Sequence, residues 1–499
     1  MSGIIAHLFR KNCLLLAGAI LFALSNAEGA TKTSAQSGNW TTASTWSPSG
    51  VPANSDNVII ANGHTVTIDN NKTIQNITVN SGGILLWNAG KRITINGNFT
   101  VNGTATMNKG EITLSSPGLA FTLGPSSFFT WDPGTNNSTN ATLFTRGAES
   151  FSSTSTLIIK NWYNYTLSLG SVITGNFGNL IMNSPGGSSS IVEWNQNNQF
   201  ETHQILGTLT IDQGWITLDK SGSISSTSIG NIVLTSVNSA FYGHSGTHLG
   251  SFSITTGSVT NNGGIFYGLN NGNGNVTINV NGNFTNIGNV KIINNGGVLA
   301  VGNGNATFNV SGTYLQSTGD TRIIYNVTTL LSGTFTSTIN ALSLTGGIFM
   351  GQTGCHILGS TSSLTITNNC TINFSSAADK FRCTSLSSIG VVLNNAKVNF
   401  TVGGNLVFSG PGAAEFTSSA SAGIETIQIG GNLQINSGVF SMNYGTSAAS
   451  HDLALTINGD LIVNGGTSYL SRNSGTSVIT IGGNISISSG SNLNGTNSQ

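Results

Sequence analysis

The sequence predicts an all-β fold, a parallel and right-handed β-helix solenoid with a cap at its N-terminal end. Three observations lead to this prediction: short segments of alternating apolar and polar residues, a glycine-led corner, commonly Gly-Asn or Gly-Asp, between two such segments, and recurrence of that unit at intervals in the twenties. Alternation with a period of two is typical of strands, and a repeat of about 20 to 50 residues is typical of solenoids.

The repeated unit is clearest near the C-terminus. It reads IQIGGNLQINSG at 427–438, LTINGDLIVNGG at 455–466 and ITIGGNISISSG at 479–490, and an early copy, ITINGNFTVNG, lies at 93–103. Weaker copies surround Gly282, Gly312, Gly333 and Gly404. The sequence steps between corner glycines are 30 (Gly282 to Gly312), 21 (Gly312 to Gly333), 27 (Gly404 to Gly431), 28 (Gly431 to Gly459) and 24 (Gly459 to Gly483).

The predicted strands are only three to five residues long. A hairpin of such strands would make almost no sheet, whereas stacking each strand on its counterpart in the next coil, about 4.8 Å away, buries one aliphatic side chain in two. Asparagines at matching corners are expected to form ladders of stacked amides. The alternative is a string of antiparallel sandwich domains, which the irregular spacing between residues 110 and 270 would favour.

The composition limits the possible partners. Only 6% of the 499 residues are charged, and 16 basic residues balance 16 acidic ones. Without a basic patch to neutralise phosphates, the chain is not expected to bind nucleic acid. A surface rich in Thr, Ser and Asn over an aliphatic core is instead typical of extracellular β-solenoids.

The N-terminus predicts export. Arg10 and Lys11 precede an apolar run that ends at Leu24, and Ser25-Asn26-Ala27 supplies the small residues of a cleavage site. We therefore expect a signal peptide at 1–27, cleavage near Ala27, and a secreted or outer-surface location. No transmembrane segment is predicted, because no apolar run reaches the roughly 18 residues of a membrane span.

Residues 28–37 are predicted to be a polar linker, and 38–105 a distinct N-terminal unit. That unit contains Trp40, Trp46, a Gly50-Val51-Pro52 turn and Asp56 before a Val/Ile strand. This pattern resembles the opening of G8-like domains, and the resemblance implies a β-helical surface protein of the kind secreted by Bacteroidetes-type bacteria. As a cap, the two tryptophans would plug the first coil and Asp56 would accept bonds in a turn.

The β-helix is expected to fill 106–490, with irregular coils at 126–200 and a polar tail at 491–499. The irregular part is rich in aromatic residues, among them Trp131, Trp162, Tyr163 and Trp194. Exposed rings there could stack on the sugar rings of an extracellular polysaccharide or a cell-surface glycan. Alternatively, they fill wider coils from within. No C-terminal sorting motif is visible, so export uses another route or the sequence is part of a longer chain.

Catalytic machinery is not evident. Glycoside hydrolysis needs two carboxyl groups about 5 to 9.5 Å apart, and the spacing of Glu193 and Asp219, which is close to one coil, would allow stacking on adjacent coils. Gly243-His244-Ser245-Gly246 loosely resembles a motif of pectin-degrading β-helices, which implies a catalytic His244, but the companion acidic motifs are absent. If the chain is an enzyme, the expected activity is a glycoside hydrolase or a polysaccharide lyase.

Neither a metal nor a cofactor is predicted. His203, His244 and His248 lie close in sequence but lack a clear further ligand besides Asp212. After cleavage of the signal three cysteines remain, Cys355, Cys370 and Cys383. Their spacing leaves open one disulfide with a free thiol or no disulfide at all, and small buried residues in neighbouring coils are favoured.

A third class of function is recognition by the flat sheet surface itself. Thr-x-Thr pairs, such as Thr65-Val66-Thr67 and Thr365-Ile366-Thr367, are similar to those of ice-binding solenoids. They do not recur at a fixed coil position, so the sequence does not favour this function. The leading hypothesis is a structural or adhesive surface protein; the alternative is a carbohydrate-binding or polysaccharide-degrading β-helix with its site in 126–250.

Overall fold

The structure is a computed structural model that describes most of the chain. The described residues are 29–116, 118–132, 147–161, 176–185, 191–193, 204–219, 226–245, 250–270, 274–295, 304–331, 334–356, 361–385, 396–418, 423–444, 451–470 and 477–494. They form strands and turns with one short 3-10 helix, Ala43–Thr45.

The strands are short near the N-terminus and longer in the middle of the chain. In order they are β1 Thr31–Ser34, β2 Gly38–Asn39, β3 Trp46–Ser47, β4 Asn57–Ile60, β5 Thr65–Ile68, β6 Lys72–Ile74, β7 Asn76–Val79, β8 Ile84–Trp87, β9 Arg92–Ile95, β10 Phe99–Val101, β11 Thr104–Thr106, β12 Glu111–Leu114, β13 Leu119–Leu123, β14 Phe128–Trp131, β15 Gly147–Phe151, β16 Thr156–Lys160, β17 Asn179–Asn183, β18 Ile191–Glu193, β19 Ile205–Asp219, β20 Ser226–Leu234, β21 Ser239–Ser245, β22 Ser251–Asn261 and β23 Ile265–Asn270. They continue as β24 Asn275–Val280, β25 Phe284–Asn286, β26 Asn289–Asn295, β27 Ala306–Gln316, β28 Asp320–Leu331, β29 Phe335–Leu344, β30 Ile348–His356, β31 Thr361–Ile366, β32 Cys370–Asn373, β33 Lys380–Ser385, β34 Ala396–Val402, β35 Leu406–Ser409, β36 Ala413–Ser418, β37 Gly423–Ile429, β38 Leu433–Ile435, β39 Val439–Tyr444, β40 His451–Ile457, β41 Leu461–Val463, β42 Thr467–Tyr469, β43 Ser477–Ile481, β44 Ile485–Ile487 and β45 Asn492–Asn494.

The strands stack in parallel along the axis of a single β-solenoid, as the sequence predicts. One column of paired residues runs without a break through Gly38, Val66, Leu85, Ala105, Phe129, Leu157, Leu180, Leu209, Ile232, Val259, Phe284, Tyr314, Leu342, Cys370, Leu406, Leu433, Leu461 and Ile485. Each strand therefore gains its hydrogen bonds from the neighbouring coils.

A typical coil has three strands. In residues 423–444, β37 ends at the Gly430-Gly431-Asn432 corner, β38 follows, and a turn at Gly438 leads to β39. Gly438 has φ +81°, and a Cβ there would lie 2.0 Å from the carbonyl oxygen of Gly410 on the preceding coil. Only glycine fits such a turn, because other residues disfavour positive φ and no space remains for a side chain.

The steps predicted between corner glycines are confirmed near the C-terminus. Gly431 N donates to Gly404 O at 2.8 Å, Gly459 N to Gly431 O at 3.0 Å and Gly483 N to Gly459 O at 3.0 Å. The step from Gly282 to Gly312 is confirmed as well, by a bond of 3.0 Å from Gly312 N to Gly282 O.

The predicted step from Gly312 to Gly333 is wrong. Thr313 pairs with Ala341, so the counterpart of Gly312 is Asn340. Thr334 instead lies where a first strand begins, with its N–H donating to Asn305 Oδ1 at 2.9 Å. Gly333 itself lies outside the described residues; both Gly312 and Gly333 are followed by Thr, and sequence spacing alone cannot tell a corner from the start of a strand.

The expected asparagine ladder is present at the corners. Asn369 Oδ1 accepts from Asn405 N, Asn405 from Asn432 N, Asn432 from Asp460 N, and Asp460 Oδ1 from Asn484 N, at 2.7 to 2.9 Å. Each side chain thus satisfies a backbone donor of the next coil, which ties the corners together along the axis.

The N-terminal cap covers the first coil. Trp40 and Trp46 are buried, their ring centroids lie 5.0 Å apart in an edge-to-face arrangement, and Trp46 Nε1 donates to Trp40 O at 2.8 Å. Trp40 Nε1 finds no acceptor among the described residues. Asp56 accepts from Ala30 N and Ala53 N, which confirms its role in a turn. The cap therefore closes the solenoid core as expected.

Two predicted boundaries change. Thr31–Ser34, expected in a linker at 28–37, form β1, which pairs in parallel with β4 and antiparallel with β3. The antiparallel β3 covers the outer edge of the first sheet, where an open edge would invite association. Asn492–Asn494, expected in the polar tail, form β45 and pair with β42.

Candidate functional site

The aromatic residues expected to bind a glycan do not form a surface site in the described chain. Trp131 is fully buried at the end of β14, so it fills the coil from within, which corrects its assignment as a ligand-binding residue. Near it, Phe99, Phe121 and Phe129 pack at 5.3 to 6.0 Å between ring centroids. Trp162, Tyr163 and Trp194 lie outside the described residues.

The proposed acid pair is not stacked directly. Glu193 in β18 pairs with Thr217, whereas Asp219, further along β19, pairs with His244. The coil at this point is shorter than the spacing of the two acids, so Glu193 and Asp219 are diagonal neighbours. Their backbones lie on adjacent strands, and the pairing as chemistry stays a prediction.

His244 occupies an interior position. It is fully buried and in register with Leu269 of the next coil, which is buried too. A side chain enclosed in this way cannot meet a polysaccharide, so the structure argues against a catalytic His244. His203 and His248 lie outside the described residues.

The outer face of the third strands carries an aromatic ladder that the sequence prediction missed. Trp215 lies 5.5 Å from Tyr242, and Tyr242 lies 5.5 Å from Tyr267, both between ring centroids and both edge-to-face. Lys291 Nζ stands 5.2 Å from the centroid of the Tyr267 ring. Tyr242 is buried between its neighbours, while Trp215 and Tyr267 are partly exposed.

Charged residues continue the same face on the following coils. Tyr267, Lys291, Arg322, Met350 and Arg382 lie in one register column. Arg322 Nε donates to both carboxylate oxygens of Asp320, at 2.8 and 2.9 Å. Between positions 221 and 396 the Lys and Arg residues of the sequence all lie on this face: Lys291, Arg322, Lys380 and Arg382.

Arg382 forms an ion pair with Glu415 on the next coil, its Nε lying 2.8 Å from Glu415 Oε2. Asp379 is buried and accepts from the backbone N–H groups of Gly347, Ser375 and Ser376. It therefore caps a turn.

Burial shifts the pKa values of two side chains on this face. It raises the pKa of Tyr242, and the neighbouring Tyr267 adds to that rise. Burial lowers the pKa of Lys291; Asp320 opposes that change and Arg322 reinforces it. Tyr242 is therefore neutral at physiological pH and offers a ring and a hydroxyl without charge.

The sequence did contain a signal for the ladder. Tyr242, Tyr267 and Lys291 follow one another at intervals in the mid-twenties, which are coil intervals. The signal was hidden by the many other residues at similar spacing. Only the register shows that these side chains share one face.

Metal sites, reactive cysteines and membrane-spanning helices are the other functional features to consider in the described chain. No group of three His, Cys, Asp or Glu residues in the described chain could hold a metal ion. Cys370 and Cys383 are buried, and burial raises the pKa of the Cys370 thiol. The side chain of Cys355 is not described. In the same part of the chain no helix is long and apolar enough to cross a bilayer.

Comparison with known protein families identifies a domain near the N-terminus. The G8 domain family matches residues 45–117, which include Trp46, the Gly50-Val51-Pro52 turn and Asp56. The match extends through β12 and begins after Trp40, so it covers most of the predicted unit at 38–105 and the coil that follows. Neither a curated protein nor a solved structure matches the chain. Residues 45–117 are thus a G8 domain at the N-terminal end of a parallel β-solenoid.

Proposed function

We propose that the protein is a secreted or cell-surface structural element, a rigid solenoid that serves as a stalk or adhesive scaffold. The observation that carries this proposal is the unbroken column of paired residues from Gly38 to Ile485. A single continuous core with ladders between all its coils resists bending and local unfolding, as a spacer must.

The use of the charged residues supports the same function. Asp56 and Asp379 accept backbone hydrogen bonds, and Arg382 pairs with Glu415. An enzyme needs ionisable groups that converge on a substrate with shifted pKa values. Here these groups stabilise turns and strand pairs instead.

The test is a shortened chain. Removing residues 405–483 joins Gly404 to Asn484, which continue the corner ladder in the same order, and it deletes three coils, about 14 Å of axis. A scaffold is expected to fold, to be displayed on cells, and to lose that length in X-ray scattering. An intracellular location of the full-length protein, shown by protection from added protease on intact cells, would contradict the proposal.

A second candidate function is carbohydrate binding, and the aromatic ladder favours it. Trp215 and Tyr267 present partly exposed rings on either side of Tyr242, with Lys291 beside them. Stacking on sugar rings would use the faces of these residues. The site would then lie partly in the 126–250 segment expected from the sequence.

A glycan array tests this candidate. We expect selective binding by the full chain and its loss in the variant Trp215→Ala/Tyr267→Ala. The matched control is Phe128→Ala, because Phe128 is a 47% exposed aromatic residue away from the ladder. Equal binding by all three proteins, or none by the full chain, would exclude the ladder as a glycan site.

A further inference from the structure

The outer face of the first strands, from β22 to β43, carries two columns of small polar side chains, with Gln428, Ala454 and Val478 as the exceptions. The first column is Ser253, Thr277, Thr307, Thr336, Ser363, Asn399, Thr426, Ala454 and Val478, and the second is Thr255, Asn279, Asn309, Thr338, Thr365, Thr401, Gln428, Thr456 and Thr480. Ten of these eighteen positions are threonine. Only Thr336 and Thr338 form a Thr-x-Thr pair across the two columns, so the expectation that such pairs lack a fixed coil position holds, and the threonines instead recur down the columns.

The register of these columns is constant. Each of the nine first strands pairs residue for residue with the next over both columns, and the only shift in β27–β29 falls after Val310, beyond them. Neighbouring positions are therefore about 4.8 Å apart between coils and about 6.6 Å apart along a strand. The side chains form a two-dimensional lattice.

The two columns are open to solvent and uncharged. All eighteen side chains are half-buried or exposed, and none is ionisable. This contrasts with the third strands, whose outer face holds Lys291, Arg322, Lys380 and Arg382. On the first strands themselves, Lys397 and the exposed Asp452 occupy one register position at the edge of the columns, two residues before Asn399 and Ala454.

The lattice stands on a rigid support. The residues between the two columns point inward and are buried; they include Ile254, Ile278, Phe308, Leu364, Phe400, Ile427 and Leu455. Within the second column Asn309 Nδ2 donates to Asn279 Oδ1 at 2.9 Å. A shallow groove beside the column is lined by Asn309, Val310, Ser311, Thr338, Asn340 and Thr367. Little side-chain freedom remains to be lost when a partner binds.

We propose that this face binds ice. An ice crystal offers the same contact at every lattice step, so a protein surface that binds it must be flat, rigid and periodic. The surface must also be uncharged, because ice gives ionic groups nothing to pair with. Threonine hydroxyls can hold water at lattice positions while the methyl groups lie against the voids between them. The spacings of the two columns, about 4.8 Å between coils and about 6.6 Å along a strand, are close to the distances between oxygen atoms that repeat on a prism face of ice.

The experiment grows ice slowly in a solution of the full chain and measures the fraction of protein carried into the crystal, together with inhibition of ice recrystallisation. The full chain is expected to enter the ice. The variant Thr338→Tyr/Thr365→Tyr, which raises two bulky rings on adjacent coils of the lattice, is expected to remain in the liquid.

The matched control is Ser343→Tyr/Thr371→Tyr. These residues pair on adjacent coils and point outward from the second strands, on the other side of the corner. The control should enter ice like the full chain, and circular dichroism should show equal folding of all three proteins. Exclusion of the full chain from ice, or equal loss in the control, would overturn the proposal. Binding of crystalline cellulose or chitin without ice would overturn it too and would assign the face to a polysaccharide surface.

Discussion

One interior column of the solenoid changes its chemistry along its length. In the middle of the chain it holds Asn261, Asn286 and Gln316, and nearer the C-terminus the same column holds Leu344, Ile372, Phe408, Ile435 and Val463. All are buried. The same backbone position thus accepts either a ladder of amide side chains or a stack of apolar side chains.

The amide part is a connected network. Asn261 Nδ2 donates to Asn286 Oδ1 at 3.0 Å, Asn286 Nδ2 to Thr321 Oγ1 at 3.0 Å, and Gln316 Nε2 to Ile348 O at 3.0 Å. Tyr314 OH lies 2.6 Å from Thr321 Oγ1. At the other end, Asn261 Oδ1 has no partner in the described chain. Polar groups are tolerated inside because nearly every one meets the next coil.

The comparison shows that a polar side chain is accepted in the interior when its hydrogen-bonding groups find partners there. The aliphatic rungs are stabilised by burial alone, while the amide rungs also demand a fixed register between coils. The amide network therefore specifies alignment in the middle of the solenoid, where the coil that joins Asn286 to Gln316 is one of the longer ones. The predictions below probe this contrast.

The largest effect is expected for Ile435→Asn, which places an amide in the aliphatic part. The side chain would lie between the apolar side chains of Phe408 and Val463, which offer its amide no hydrogen bond. Lost burial, together with an amide that these two neighbours leave unpaired, should cost about 4 kcal/mol. Urea unfolding measures this cost. The control Ile462→Asn, at a partly exposed neighbouring position, should cost less than about 1 kcal/mol.

The reverse change, Asn286→Leu, should lower the free energy of unfolding by about 3 kcal/mol, because it removes the buried hydrogen bonds of Asn286 with Asn261 and Thr321 and leaves the Gly288 N–H without its acceptor. Hydrogen exchange at residues 284–295 and urea unfolding would show the loss. The control is Asn464→Leu, at an exposed asparagine whose side-chain amide donates to Asn436. A stabilised Asn286→Leu variant would contradict the idea of a required network.

Tyr314→Phe should cost about 1 kcal/mol near neutral pH, since one buried hydrogen bond is lost. Burial raises the pKa of Tyr314. A raised pKa means that the stability of the native protein is complete below about pH 10 and falls as the pH rises further. The variant lacks the ionisable hydroxyl, so its free energy of unfolding does not share this fall. The difference in free energy of unfolding between the two proteins should therefore narrow above about pH 10. Urea midpoints that keep a constant difference into alkaline solution would refute this.

The smallest effect concerns the ladders outside the core. Asn432→Ala removes the acceptor of the Asp460 N–H and should cost about 1 kcal/mol. Asn436→Ala removes only amide contacts with Gln434 and Asn464 at the surface and should cost about 0.3 kcal/mol. Hydrogen exchange at the backbone N–H of Asp460 should become faster in the Asn432→Ala variant alone. Equal exchange in both would show that the corner ladder adds nothing beyond the sheet.

The amino-acid sequence by itself determined the repeating architecture. Alternation fixed which segments become strands, the Gly-Asn corners fixed where they bend, and the steps from Gly404 to Gly483 gave the coil lengths correctly. The cap followed from Trp40, Trp46 and Asp56. These features are local, because each depends on residues that are neighbours in the chain.

Only the tertiary structure decided which residues meet between coils. The counterpart of Gly312, the interior place of Asn286 and Trp131, the pairing of Arg382 with Glu415 and the threonine columns all depend on residues that are a whole coil apart in the chain. Coil length varies with each turn, and a slip of one residue moves every side chain of a strand to the opposite face. The register is set by the sum of the stacking contacts along whole strands, so it cannot be predicted from any single motif.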